Sequence, residues 1–221
     1  MKRKEWLQLR SKLAEERMDT LFSPNYDENW GELEQPHVEM IEKLLKLVVE
    51  KPAILDAACG TGKYWHILLQ KESKILGIDH SLGMLQNAQR KFPSVPIKKV
   101  KLQELTFKNQ FDAIICMDAM ENIFPEHWPI VLNKFTEAVK ENGYIYFTVE
   151  LMDEEELRIN FEKSKAEGEP IVFGEFLENG GYHYYPPMST VRELIQTCNL
   201  NIVEEFEQGV YHHFLVQKKN N

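Results

Sequence analysis

Between residues 50 and 150 the chain alternates short apolar runs with longer stretches in which apolar residues recur every three or four positions. The runs are AILDA (53–57), KILGID (74–79), a weaker VPIKKVKL (95–102), FDAIICMD (111–118) and GYIYFTVE (143–150). Runs that are almost wholly apolar predict strands buried on both faces, the mark of a parallel sheet covered by helices. A helix from Pro36 is predicted by Val38, Ile41, Leu44, Leu45 and Val48, and another follows the first strand as far as Leu69. Ser81 is placed to cap a helix whose Leu82, Leu85 and Phe92 share a face. A further helix is expected from about Pro129 to Asn142, with Gly143 ending it. Beyond Glu150 the rhythm breaks, and residues 151–187 read as an insertion or flap. A helix over 191–198 and the strands NIVEEF and HHFLVQKK close the chain. Ahead of this frame lie a charged helical stretch (3–19) and an irregular patch, SPNYDENWGELEQP (23–36), holding Tyr26 and Trp30. The expected architecture is an open α/β sheet of about seven strands with helices on both faces. Residues 1–36 form an N-terminal helical or lid segment, and 37–221 form the main domain.

Composition narrows the class without naming a function. The 221 residues, 43% of them hydrophobic, suffice for one generous core. No run approaches the roughly 18 apolar residues of a membrane span, and the basic N-terminus has no apolar stretch behind it to make a signal peptide. Cys59, Cys116 and Cys198 sit in apolar settings without metal-ligand spacing, so reduced cysteines, a cytoplasmic setting and no metal are expected. The net charge of −9 disfavours a nucleic-acid partner. Nine acids and three bases fall within 151–180, a concentration that suits a cationic acceptor or merely a solvated surface.

The chemistry is carried by ILDAACGTGKYW, 54–65. In an open parallel sheet the ligand lies beyond the carboxyl ends of the strands, and a glycine-rich turn there lets backbone approach it closely. A triphosphate loop would need a glycine five residues before Gly62 and a Ser or Thr after Lys63; the chain has neither. A dinucleotide loop would need a glycine where Trp65 stands. DAACGTG (56–62) instead resembles the D-x-G-x-G-x-G loop of the class I S-adenosylmethionine-dependent methyltransferases. The likeness continues through GIDHSLGMLQNA (77–88) and KKVKLQELTFKNQFDAIICMDAMENI (98–123). It implies a Rossmann-like, mostly parallel, doubly wound seven-stranded sheet whose last strand is antiparallel, with S-adenosyl-L-methionine as cofactor.

The same resemblance implies the site. Asp79, at the end of strand two, would accept both ribose hydroxyls, with His80 beside it. Asp56 and the loop residues Ala58, Cys59, Gly60 and Gly62 would surround the methionine and ribose. Met84, Leu102 and Gln103 would enclose the adenine, and Tyr26 and Trp30 would form an aromatic lid. Asp118 would line the floor near the sulfonium, and Asp118 and His183 are the candidate catalytic groups. Two positions depart from the family pattern: Ala58 replaces its first glycine, and Lys101-Leu102 stands where many relatives have an adenine-binding aspartate. MDAMEN after strand four, in place of [DN]-P-P-[YF], points away from bases in nucleic acid. The expected acceptor is therefore a small molecule with a nitrogen or oxygen nucleophile, methylated by a monomer or homodimer. A non-catalytic S-adenosylmethionine-binding regulatory or partner protein is the alternative.

Overall fold

The computed structural model describes residues 1–220. Helix α1 (Arg3–Arg17) runs through a π turn (Met18–Phe22) and a 3-10 turn (Ser23–Asn25) into α2 (Tyr26–Trp30) and α3 (Gln35–Leu47). Then come β1 (Ala53–Ala57), α4 (Trp65–Leu69), β2 (Lys74–Asp79), α5 (Leu82–Lys91), β3 (Ile97–Lys99) and β4 (Phe111–Cys116). The second half holds α6 (Trp128–Ala138), β5 (Val139–Glu150), α7 (Glu154–Ala166), β6 (Glu175–Glu178) and β7 (Gly181–Tyr184). It ends with α8 (Met188–Thr197), β8 (Leu200–Gln208) and β9 (Tyr211–Lys218).

Seven strands form one sheet in the order β3-β2-β1-β4-β5-β9-β8. β1 through β5 pair in parallel, and β9 enters antiparallel between β5 and β8. Strand alternation divides the core. Leu55, Ala57, Ile114 and Phe147 face α1, α6 and α8, whereas Ile54, Ile75, Ala113 and Ile115 face α3, α4 and α5. The order reverses between β1 and β4, so a crevice opens above their carboxyl ends.

Three local expectations change. The patch at 23–36 is largely helical, because Pro24 sits in the first turn of a short helix that continues into α2. α6 stops at Ala138, and Gly143 lies inside β5, since Val139 already pairs with Phe111. The third strand shrinks to three residues.

The acidic insertion is ordered structure. Asp153 caps α7 by accepting the N–H groups of Glu155 and Glu156, and β6 and β7 form a separate hairpin. This hairpin grips α1. Glu175 is fully buried and accepts from both terminal nitrogens of the Arg3 guanidinium at 2.6 Å, the Tyr182 hydroxyl at 2.7 Å and the Val172 N–H at 2.7 Å. Glu169 accepts from the Trp6 indole and from Arg10.

Candidate active site

The crevice above β1, β2 and β4 is a cavity roofed by α1. Nine of the expected residues line it: Tyr26, Ala58, Gly60, Asp79, His80, Met84, Leu102, Gln103 and Asp118. Asp79 is held at the end of β2 by the loops on either side. Its Oδ2 accepts the Gly60 N–H at 3.0 Å, and its Oδ1 accepts the Ser81 N–H at 2.8 Å. Burial raises its pKa, against the pull of His80 and these N–H donors. Each carboxylate oxygen keeps a lone pair for a further donor.

Gly60 has φ +52°, and a Cβ built on it meets no atom within 4 Å. The left-handed turn, together with that open space, leaves backbone as the wall of the cavity. Ala58 takes the same left-handed region, φ 63°, despite its methyl. His80 Nε2 is shielded from solvent without a hydrogen-bond partner. A carboxylate with spare acceptor capacity, a bare backbone wall and an unpaired imidazole nitrogen suit a ligand with a diol and a polar heterocycle. These residues fit S-adenosylmethionine.

Met84, Leu102 and Gln103 supply the remaining wall. Lys101, where many relatives place an acid, turns to the roof and donates to Ser11 Oγ at 2.8 Å. Gln103 lines the cavity beside it as the uncharged polar side chain of that loop.

Five expected residues stand elsewhere: His183, in an adjoining cavity, and four that belong to the glycine loop and the lid. Asp56 shares a face of β1 with Ile54 and points toward α4, where it accepts the Trp65 indole N–H at 2.7 Å. Burial pushes its pKa up to about 7, against the pull of that hydrogen bond. Gly62 serves the same indole: a Cβ on Gly62 would sit 2.7 Å from the Trp65 ring, and one on Gly77 would sit 2.3 Å from it. Cys59 is buried, and burial together with Asp56 raises its thiol pKa, leaving it inert. Trp30 is 46% exposed and leans on Phe22 and Tyr26, bracing the lid from outside. Tyr26 itself lines the cavity. Its pKa is pushed up to about 12 by burial, with Asp118 and Asp79 adding to it.

Asp118 reaches the floor through a backbone at φ 51°, its N–H donating to Thr148 Oγ1 at 2.9 Å. Its Oδ1 lies 3.0 Å from His37 Nε2. His37 is fully buried and was not singled out from the sequence, although it shares the apolar face of α3 with Met40, Ile41 and Leu44. Glu34, His37 and Asp118 each bring one ligating atom within 4.8 Å of the others. Behind them His213 Nδ1 pairs with the Tyr146 hydroxyl at 2.9 Å, and burial lowers its pKa to about 4, so it is neutral. Glu121 is buried rather than solvated, and burial raises its pKa well above the usual carboxylate range.

The roof also escaped the sequence reading. Arg10, Ala14 and Met18 line the cavity with Ser11, and Trp6 is buried one turn earlier. Their four-residue spacing makes a stripe only one side chain wide, too narrow to stand out in a charged helix. His183 lies outside this cavity, in an adjoining one. All three cysteines are free and buried, and no helix among the described residues is long and apolar enough to cross a membrane.

Comparison with known proteins agrees with this fold. Residues 54–143 match the family model described as a methyltransferase domain. The chain is 23% identical over 190 residues to an uncharacterized methyltransferase of Oceanobacillus iheyensis, covering 82% of this chain and 86% of that one. It is 28% identical over 113 residues to a carboxy-S-adenosyl-L-methionine synthase of Helicobacter pylori, which covers 48% of this chain and spans only 47% of that relative. Among solved structures, the 1,6-didemethyltoxoflavin-N1-methyltransferase of Burkholderia thailandensis, with bound 1,6-didemethyltoxoflavin and S-adenosylhomocysteine, superposes with a TM-score of 0.71. That likeness is at 14% identity and covers 95% of this chain and 89% of the other.

Proposed function

We propose that this chain, a class I S-adenosylmethionine-dependent methyltransferase, transfers the methyl group to a nitrogen or oxygen nucleophile of a small molecule. The observation that carries the acceptor's size is the roof. α1 and the β6–β7 hairpin close over the carboxyl ends of the strands, where an enzyme acting on a polymer needs an open groove. The Burkholderia neighbour's small heterocyclic ligand supports the same reading.

When bound, the cofactor supplies a methyl group on a positively charged sulfur, and its leaving group is a neutral thioether that needs no proton. The chain's work is therefore to position, to exclude water and to manage the nucleophile's proton. Asp79 would fix the ribose and Gly60 the adjoining chain, while Met84, Leu102 and Gln103 would fix the ring. Asp118, its Oδ1 3.0 Å from His37 Nε2, presents a carboxylate at the floor. Tyr26 and α1 keep water out.

The test is calorimetric titration of the purified protein with S-adenosylmethionine and S-adenosylhomocysteine. Micromolar binding of both is expected. Asp79→Ala should weaken it about ten- to a hundredfold, or about 1.5–3 kcal/mol for hydrogen bonds to a charged group. An unchanged affinity in that variant would place the ribose elsewhere.

A further inference from the structure

A second cavity adjoins the first across Arg10, Ala14, Met18, Asn122 and Tyr182. Its outer wall comes from the end of β5 and the insertion, and brings together Glu150, Glu156, Glu178, His183 and Tyr185. Three of these form a relay. His183 Nδ1 lies 2.8 Å from the Tyr185 hydroxyl oxygen, the hydroxyl donates to Glu150 Oε2 at 3.2 Å, and that same Oε2 is 3.3 Å from His183 Nδ1. Tyr185 has one proton and gives it to Glu150, so it accepts from His183 Nδ1–H. That tautomer leaves Nε2 as the proton-accepting nitrogen of a side chain that lines the cavity.

The charge of the chamber follows from what its cations are doing. Arg10 is bound to Glu169 at 2.9 Å and packs over Trp6, and Arg17 lies over the Phe22 ring. Among the described residues, Glu150, Glu156 and Glu178 thus face one guanidinium, that of Arg17, that is not held by a carboxylate. Between them stand the rings of Phe22, Phe176, Tyr182 and Tyr185. Carboxylates among aromatic faces select a cation with an apolar body.

We infer that this second cavity is the acceptor chamber, and that it takes a protonated primary or secondary amine borne on an apolar or aromatic body. The inference rests on the methyltransferase reading above and specifies its acceptor. The carboxylates hold the ammonium, and His183 Nε2 takes the proton that must leave before the nitrogen can attack. As the N–CH3 bond forms, the S–CH3 bond breaks, the sulfur keeps the bonding pair as a neutral thioether, and the proton rests on His183. Glu150 stabilises the resulting imidazolium directly and through Tyr185, the positioning residue of the relay.

The experiment uses the full chain saturated with S-adenosylhomocysteine and three matched probes: 2-phenylethylamine, 2-phenylethanol and 3-phenylpropionate. The amine should bind at least tenfold more tightly than either of the others. Glu150→Gln, or Glu178→Gln should the first variant not fold, should reduce amine affinity at least tenfold while S-adenosylhomocysteine binding stays unchanged. Tyr185→Phe, which keeps the ring but breaks the relay, should slow single-turnover transfer about tenfold and alter its pH profile. In single turnover with S-adenosylmethionine, His183→Ala should slow transfer to the bound amine at least a hundredfold, as loss of a general base does, and added imidazole should restore it. Equal binding of the probes, preference for the acid, or no binding of any probe would overturn the amine assignment and leave the methyltransferase reading standing. Full transfer without His183 would overturn its role. Failure of S-adenosylhomocysteine itself to bind would remove both readings.

Discussion

Two residues of the glycine loop show how one side chain can be placed by motif and employed by packing. Asp56 occupies the family's acidic position, but strand alternation aims it at α4, where the Trp65 indole holds it. Its pKa is raised from 3.8 to about 7, so its contribution to stability is complete below about pH 3.8 and is lost as pH rises through about 7. Asp56→Asn keeps an acceptor for the indole and cannot ionise. The native chain should therefore lose about 2–3 kcal/mol between pH 5 and pH 8 relative to this variant, as measured by urea denaturation. Ala58 carries a methyl at φ 63°, a conformation that costs a non-glycine residue roughly 1–2 kcal/mol. Part of that cost returns as backbone entropy when glycine is restored, so Ala58→Gly should stabilise the fold by about 0.5–1 kcal/mol, seen as a higher urea midpoint at unchanged slope. At this scale the cavity wall was legible, because Asp79 ends β2, Met84 lies in the first turn of α5 and Gln103 in the 3-10 turn beyond β3, close to strand ends where position in the motif fixes position in space. Asp56 and Gly62 were not, because the partner that claims them, Trp65, is chosen by a strand's facing and not by the spacing of the motif.

Among the elements, the alternation from β1 to β5 could be read directly, since strands buried on both faces leave continuous apolar runs. α1 could not: one narrow stripe covers the cavity, and the rest of the helix is charged. What holds it is spread over distant segments. Lys99, the last residue of β3, and Lys101 just beyond it reach it at 2.6 Å to Glu15 and 2.8 Å to Ser11. The π turn that follows is latched by Asp19 Oδ1, which accepts the Ser81 hydroxyl at 2.5 Å and the Gly83 N–H at 2.9 Å. The latch lies at the N-terminal end of α5, where a carboxylate is favoured. Burial works to raise the Asp19 pKa, but the bonds from Ser81 and Gly83, helped by Lys99 and His80, bring it below its ordinary value. The latch is therefore secure above that ordinary value and loosens as pH falls through the lowered one. Asp19→Ala should speed S-adenosylhomocysteine dissociation about tenfold, corresponding to about 1.4 kcal/mol, with little change in global melting. Stopped-flow displacement would show it, and an unchanged off-rate would mean that the π turn does not gate the cavity.

For the molecule as a whole, the insertion and the N-terminal segment act as one cover, although some 150 positions separate them in the chain. Glu175 joins them by accepting four hydrogen bonds with two oxygens. Glu175→Gln leaves one oxygen for those donors and turns an amide toward the rest, so it should cost about 3–5 kcal/mol, as breaking a buried ion pair does. Hydrogen exchange should then rise together over residues 3–22 and 154–184, while β1, β4 and β5 stay protected. Exchange rising in only one of the two segments would show that they open independently. The residues of α1 that stand between the chambers, Arg10, Ala14 and Met18, belong to both. On the proposed reading these side chains are the partition between donor and acceptor, so a change in any one of them reaches both chambers at once. Filling one chamber resets a wall of the other, and the two compounds should accordingly sense each other's presence across that partition.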